Sequence, residues 1–466
     1  MFILRFRFEN HRSFRDRSEL TLVQSRLKTS NPPDGDWSAY TWRAAGIYGA
    51  NASGKSTVLE ALNFMIGVIR SSATTWTERR TLPYRPFALD DDSAKRPSHY
   101  AIDFVSDGDR YEYGFSLVKK RVISEWLYDY PSGRRRMLFE RDVETDSDFR
   151  FGRSLAGGTR GLPTITGPRE LLLSRAGTSH HPVLRPIFLE LTQRISYAEF
   201  SESDREQRLR RIVSSLASGD TKVDDLVTLL KVADVGIAGV EVAERQVPEQ
   251  FRVMIAAMVK AGQTATSKKS KKRTRLEPAS ETTGLATDEA DADDVQIEFL
   301  LEDIQRNLRF QHLGLGGKPY PLEAGQQSSG TLSWLSLAMP AVDALRRGGV
   351  LLVDELDASL HPHLAQVLIR MFKDADLNTH GAQLVFTTHD TYFLSPSAEA
   401  RLEPEEVWFV EKNREGASEL YSLGDFPTRT EQNLSRRYLH GRYGATPAVA
   451  PAFLRGLVEA MNGVEE

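Results

Sequence analysis

One run, Gly49-Ala50-Asn51-Ala52-Ser53-Gly54-Lys55-Ser56, limits the fold more than any other stretch of this chain. Its glycines and its terminal Lys-Ser match the phosphate-loop pattern in full. An apolar run from Trp42 to Tyr48 precedes it, and a helical pattern from Lys55 to about Ile69 follows. The order is strand, loop, helix. In such a turn the glycines let backbone N–H groups point inward at a helix N-terminus, which makes a concave anion site. Lys55 then reaches β- and γ-phosphates, and the Ser56 hydroxyl is a ligand for Mg²⁺. Gly49 through Thr57 are therefore expected to hold a nucleotide, with ATP and Mg²⁺ as the bound species. A chance glycine-rich turn is the bland alternative, and the strand before and helix after argue against it.

A second segment supplies acid. Leu351-Leu352-Val353 is an apolar strand that ends in Asp354-Glu355. Asp354 is expected at the Mg²⁺ ion, and Glu355 as the general base that polarises an attacking water. Without the phosphate loop, the same pair would read as a strand meeting a solvated turn. Further on, Gly381-Ala382-Gln383-Leu384-Val385-Phe386-Thr387-Thr388-His389 is a third strand, ending in a histidine. Val350–Val353 and Gln383–Thr387 have the continuous apolar character of buried parallel strands.

The rest of the chain divides into four parts. Residues 1–168 form an N-terminal lobe. Its first strand alternates from Phe2, and its later strands cover Tyr100–Val105, Tyr111–Val118, Val122–Tyr130 and Met137–Glu140. Ser106-Asp107-Gly108-Asp109 and Pro131-Ser132-Gly133 are turns between them, giving an antiparallel meander. Residues 169–263 read as a helical insertion, including Val223–Ala233. Residues 264–294 carry Lys268, Lys269, Lys271, Lys272, Arg273 and Arg275, then Asp288, Glu289, Asp291, Asp293 and Asp294. Such a segment buries too little apolar surface to offset its ordering entropy and is expected to be a disordered loop. Residues 295–466 form a second lobe, in which Gln327-Ser328-Ser329-Gly330-Thr331 precedes a helix over Leu332–Arg346. A plain helix cap is the bland reading of that segment. The fold class is α/β, with a mainly parallel core sheet, an antiparallel meander and an inserted helical subdomain.

Composition narrows the setting. Hydrophobic residues make up 40% and charged residues 27% of the 466, as in ordinary globular chains. No apolar run approaches a membrane span. The opening Met1-Phe2-Ile3-Leu4-Arg5-Phe6-Arg7-Phe8 lacks the apolar stretch of a signal peptide. Cysteine is absent, which removes disulfides and thiolate metal sites. These points suggest a cytoplasmic protein with no membrane partner. A net charge of −4 gives no global pull on nucleic acid, although a local basic patch still could.

Together these elements resemble the ABC-type ATPase heads shared by SMC, RecF and OLD-family proteins. Phe8-Glu9-Asn10-His11-Arg12-Ser13-Phe14 is similar to the opening segment of the OLD-like branch. Tyr84-Arg85-Pro86-Phe87, Tyr111-Glu112-Tyr113-Gly114-Phe115, Ala233-Asp234-Val235-Gly236-Ile237 and Tyr438-Leu439-His440-Gly441-Arg442-Tyr443-Gly444-Ala445-Thr446-Pro447 look like its other recurring segments. The resemblance implies that His389 is a switch histidine. It implies that Ser328 and Gly330 belong to a signature segment gripping the γ-phosphate held by another copy. It also implies that Ala358-Ser359-Leu360-His361-Pro362 is an interface loop, with Ser359 and His361 as contacts.

Self-association head to tail, as a dimer or higher oligomer, follows from that resemblance. So does control of a separately encoded effector, a nuclease or toxin, in anti-phage defence. Two departures stand out. No glutamine occurs between Thr57 and Thr192, so the usual additional Mg²⁺ ligand is replaced by a residue near Pro86-Phe87 or by water. The stretch after His389 is also too short for the metal-binding nuclease domain of OLD proteins, which assigns any nuclease activity to a separate chain. A RecF-like DNA-binding protein is the second reading, with DNA as partner. A transporter ATPase is a poor third, because the stretch between Lys55 and Ser328 far exceeds a transporter's small helical subdomain.

Overall fold

The computed structural model describes residues 1–29, 31–77, 79–143, 148–199, 201–233, 236–244, 306–358, 360–428 and 432–446. The charged segment 264–294 lies outside the described residues, as do Ser359, Asp234, Val235 and Pro447. The chain forms two compact units, Met1–Phe200 with Pro340–Glu466, and Ser201–Met339. Residues 169–200 thus fall in the first unit, with the phosphate-loop lobe.

The first unit holds two sheets. In the six-stranded sheet, β3 (Ala44–Gly49), β14 (Gln383–Thr387), β13 (Val350–Val353) and β9 (Ile195–Ala198) run parallel, with β15 (Val407–Lys412) parallel on the other side of β3. Only β16 (Ser418–Ser422) is antiparallel, at the edge. Every residue of β3, β13 and β14 is buried, as the continuous apolar runs require of strands covered on both faces.

The seven-stranded sheet is antiparallel throughout. It comprises β1 (Phe2–Glu9), β2 (Ser18–Thr21), β4 (Ser98–Ser106), β5 (Asp109–Val118), β6 (Arg121–Asp129), β7 (Arg136–Asp142) and β8 (Phe149–Phe151), in the order β2-β1-β4-β5-β6-β7-β8. A two-residue turn joins β4 to β5, with Asp107 at φ 50° and Gly108 at φ 86°. Both central residues are left-handed, as a tight hairpin with native strand twist demands.

Between the sheets lies α1 (Lys55–Ser71). Val58, Leu59, Leu62, Met65, Ile66 and Ile69 join a single core with Phe6, Phe8 and Phe115 from one sheet and Ile47, Leu352 and Val385 from the other. Each of these side chains contributes roughly 1.5–3 kcal/mol by leaving water. The phosphate loop thus sits on a helix gripped from both sides.

After the one-turn α2 (Leu162–Ile165), the stretch read as a helical insertion over 169–263 does contain α3 (Leu172–Thr178), α4 (Leu184–Gln193), α5 (Glu202–Ser218) and α6 (Val223–Ala233). It also contains two strands that the pattern hid. One is β9, four residues long, which follows α4 without a glycine or proline between them. The other is β10 (Ile237–Glu244), which pairs with β11 (Arg306–Leu313) in a three-stranded sheet completed by β12 (Pro319–Glu323). These strands, α5, α6 and the start of α7 (Ser329–Arg347) make up the second unit. Phe310, Leu226, Leu230 and Leu335 are fully buried in its own core.

A buried carboxylate ties the meander to the helices. Glu125 of β6 is fully buried and accepts the N–H groups of Leu172 (2.6 Å) and Leu173 (3.0 Å), while the Tyr113 hydroxyl donates to it at 2.9 Å. Leu171, the N-cap of α3, has no capping side chain of its own, so a strand residue caps the helix. Burial pushes the Glu125 carboxyl up, against these donors and Arg141. Glu125→Ala strands two helix N–H groups and should destabilise the first unit by roughly 2–3 kcal/mol, read from urea unfolding.

Candidate functional site

In a parallel sheet the carboxyl ends of the strands share one edge, and there the loops after β3, β13 and β14 converge. They surround an open cleft of about 480 Å³. Its walls are Ser13, Asn51, Ala52, Gly54, Lys55, Ser56, Thr57, Glu355 and His389. Three of the sequence's candidate segments therefore share one cavity.

The loop's glycines are required by close approach. A Cβ on Gly49 would lie 2.3 Å from the Val410 carbonyl oxygen, because β15 pairs with β3 at that residue. A Cβ on Gly54 would lie 2.5 Å from the Ser418 Oγ and 2.7 Å from the Ser13 Oγ, and its φ of 111° also excludes an L side chain without strain. Gly54 is the N-cap of α1 and brings no side-chain acceptor to the first N–H groups of that helix. The Thr57 N–H turns back to the Gly54 carbonyl at 3.0 Å, and the N–H groups of Lys55 and Ser56 are left for an anion. Around the loop, the Ser418 hydroxyl donates to the Ser53 carbonyl at 2.5 Å, and the Ser418 N–H donates to the Ser13 carbonyl at 2.7 Å.

Lys55 is 7% exposed, and its Nζ donates to the carbonyls of Gly49 (2.8 Å) and Ala50 (3.1 Å). Burial lowers the pKa of its ammonium, against the pull of Glu355, Asp354 and Asp357. A buried cation held only by carbonyl oxygens, with carboxylates nearby, is suited to take phosphate oxygens.

The acidic strand is locked to its neighbours. The Asp354 N–H donates to the Ala198 carbonyl at 3.0 Å, so the missed strand β9 fixes the backbone of this residue. The Thr387 hydroxyl donates to Asp354 Oδ1 at 2.6 Å and accepts the Glu355 N–H at 2.7 Å. Glu355 has φ 52°, a left-handed conformation costing a non-glycine residue about 1–2 kcal/mol. The Thr387 bond and the Leu356 N–H to Thr387 carbonyl bond (3.0 Å) hold that turn.

His389 is oriented through its backbone, which donates to both carboxylate oxygens of Asp357 at 3.2 and 3.3 Å. Burial and the nearby Lys55 charge lower the imidazole below the ordinary histidine value, opposed by Asp357 and Glu355. The ring is accordingly neutral at neutral pH.

Fit for a divalent cation can be judged from the donors. Ser56 lines the cleft, and Asp354 spends one carboxylate oxygen on Thr387. Among the described residues no group of three or more His, Cys, Asp or Glu side chains could hold a metal. Two protein oxygens with phosphate and water completing the shell suit Mg²⁺, which keeps much of its hydration.

Ser328 and Gly330 belong to the second unit. There the Ser328 Oγ accepts the Thr331 N–H at 3.0 Å, so the segment does cap a helix, α7, which begins at Ser329. His361 caps α8 (Pro362–Lys373), its Nδ1 accepting the His363 N–H at 3.3 Å with Pro362 in the first turn. Residues 84–87 are not among the walls of the nucleotide cleft. They serve the fold instead: the Asn10 Oδ1 accepts the Phe87 N–H at 2.9 Å, and Arg12 N–H donates to the Arg85 carbonyl at 2.8 Å. Sequence reasoning passed over Ser13, Asp357, Thr387 and Ser418. Asp357 and Thr387 adjoin segments already singled out, whereas Ser418 carries no local signal.

No helix among the described residues is long and apolar enough to cross a membrane. No curated protein matches the sequence. Among solved structures, the SMC head domain from Thermotoga maritima aligns at 12% identity and a TM-score of 0.38, covering 91% of this chain and 99% of that one. The SmcHead bound to the C-winged helix domain of ScpA aligns at 11% identity and 0.39, covering 91% and 97%. Superposition at that level carries no argument, and the fold rests on the strand order and the loop described above. The family model described as "AAA domain, putative AbiEii toxin, Type IV TA system" matches residues 44–395, about three quarters of the chain. That span takes in the phosphate loop, the acidic strand and His389, and the chain belongs to this AAA-domain family.

Proposed function

We propose that the chain binds ATP and hydrolyses it to ADP and phosphate in a head-to-tail dimer, and that this cycle controls a separately encoded effector. The convergence of Lys55, Ser56, Glu355 and His389 on one cleft carries the reading. Lys55 and the N–H groups of the loop bind the β- and γ-phosphates. Ser56 and Asp354 would hold Mg²⁺, which supplies neutralisation of phosphate charge, and water takes the place of the missing glutamine. Glu355 accepts a proton from the attacking water. His389, neutral and anchored through Asp357, orients the γ-phosphate side. The other copy contributes Ser328 and Gly330 at the start of α7, and Ser359 along the interface.

ATP then favours the closed dimer through contacts to its terminal phosphate, and hydrolysis releases it. The family's description names a putative toxin and a toxin–antitoxin system, which favours a toxin-linked role over general DNA repair. ATP-dependent retention of long DNA by the dimer would instead favour the RecF-like reading.

Glu355→Gln should bind ATP and accumulate as an ATP-dependent dimer on size-exclusion with light scattering. A variant that stays monomeric at saturating ATP would sink the scheme. Thr387→Val removes the hydroxyl bridging Asp354 and Glu355, and turnover should fall about 10–100-fold with ATP affinity nearly retained. The pH profile follows from His389. Because its folded pKa lies below 6.5, the ring takes up a proton only as pH falls beneath that value. Turnover should hold level down to about pH 6.5 and decline below it, and His389→Gln should lower turnover and flatten this acid limb.

A further inference from the structure

A second concavity lies at the C-terminal end of the described chain. Its volume is about 440 Å³, and its lining is Arg436, Arg437, His440 and Arg442 alone. Arg436 and Arg437 belong to α9 (Leu434–Leu439), and His440 and Arg442 to the turn that follows its end. Among the described residues none of the four has a carboxylate partner within ion-pair distance. Arg437 reaches only the Gln432 side chain and the face of Tyr443, at 5.6 Å from the ring centroid.

The turn that presents these groups is tied down by hydrogen bonds and ring stacking. The Gly441 N–H donates to the Tyr438 carbonyl at 2.8 Å, and the Arg442 N–H to the Arg437 carbonyl at 3.1 Å. The Tyr438 and Tyr421 hydroxyls donate to the carbonyls of Ala445 (3.1 Å) and Tyr443 (2.8 Å). Gly444 sits at φ 69°, the left-handed conformation that favours glycine. Tyr438 and Tyr443 both stack on Phe409 of β15, with centroids 5.2 and 5.8 Å away.

A helix C-terminus gains from one nearby cation, by about 0.3–1 kcal/mol, which does not account for three arginines in one hollow. Three guanidinium groups lining one concavity repel one another, and an anion relieves that repulsion. Guanidinium groups match phosphate bidentately. Leu439, 66% exposed beside them, offers an apolar face that a base can cover and an inorganic ion cannot.

We propose that Arg436, Arg437, His440 and Arg442 form a binding site for the phosphate backbone of a single nucleic-acid strand, separate from the nucleotide cleft. The site is independent of how the ATP cycle works. Fluorescence anisotropy of the full chain, without ATP, with labelled single-stranded DNA and RNA of about 20 nucleotides tests it, since that length exceeds one footprint. Binding should weaken steeply with salt. Arg436→Gln/Arg442→Gln should lower affinity about 10-fold or more and reduce the salt slope by about 1–2, with nucleotide binding at the phosphate loop and the melting temperature unchanged. Arg436→Lys/Arg442→Lys should keep most of the salt slope. Absence of binding to both strands, or equal binding by the Gln variant, would overturn the proposal. So would displacement by polyglutamate, which marks a dock for an acidic protein, or by inorganic phosphate at matched phosphate concentration, which marks a free-ion site.

Discussion

Parallel pairing of β3, β14 and β13 is the constraint on which the rest depends. Leu384 to Thr387 pair with Ala44 to Ile47, and Val350 to Val353 pair with Gln383 to Phe386. Parallel register places the loop after each strand at one edge, so Gly49, Asp354 and His389 meet although they are far apart in sequence. One hydroxyl then converts that meeting into a fixed geometry. Thr387 donates to Asp354 and accepts from Glu355, so β14 sets the side chain of one acid and the backbone of the next. The left-handed turn at Glu355 persists because these bonds overdetermine it.

The parts of this site legible in the sequence are those whose chemistry is written in consecutive residues. A phosphate loop announces itself because backbone donors, lysine and serine must be adjacent, and an acidic pair does so because a buried strand must end where the cation waits. What stayed hidden depends on contacts between distant segments. Ser418 reaches the loop from β16 across the edge of the sheet, and nothing near Ser418 records it. The short strand β9 reads as the tail of α4, since four residues, buried only at Ile195 and Ala198, are too few to break a helical pattern. Only pairing with β13 reveals it.

The motif at the chain's start has a physical explanation in the fold. Asn10, at φ 53°, is fully buried, and its amide donates to the carbonyls of Ser93 (2.8 Å) and Arg96 (2.9 Å) while its oxygen accepts from Phe87. A single side chain thus closes the long connection between α1 and β4. His11 continues the knot through a 2.6 Å bond to the Tyr100 hydroxyl, and Phe14 fills the core beside Phe8. Ser13, between them, is the one member left facing the nucleotide cleft. The segment whose sequence resembles other ATPases is therefore mostly structural, with one residue at the site.

Insertion of the second unit follows from the same sheet. The chain leaves the first unit just after β9 and returns through α7 to β13, its parallel neighbour. Parallel neighbours require a crossover of a dozen residues or more in any case, and lengthening a loop costs only about 0.6 kcal/mol per doubling. A whole unit can therefore replace a single helix at this point without disturbing the pairing on either side. Both covalent connections of that unit run into the β9–β13 pair, whose end is fastened by the Asp354 N–H to the Ala198 carbonyl. The same hydrogen bond joins the residue that closes β9 to the one that follows β13, Asp354.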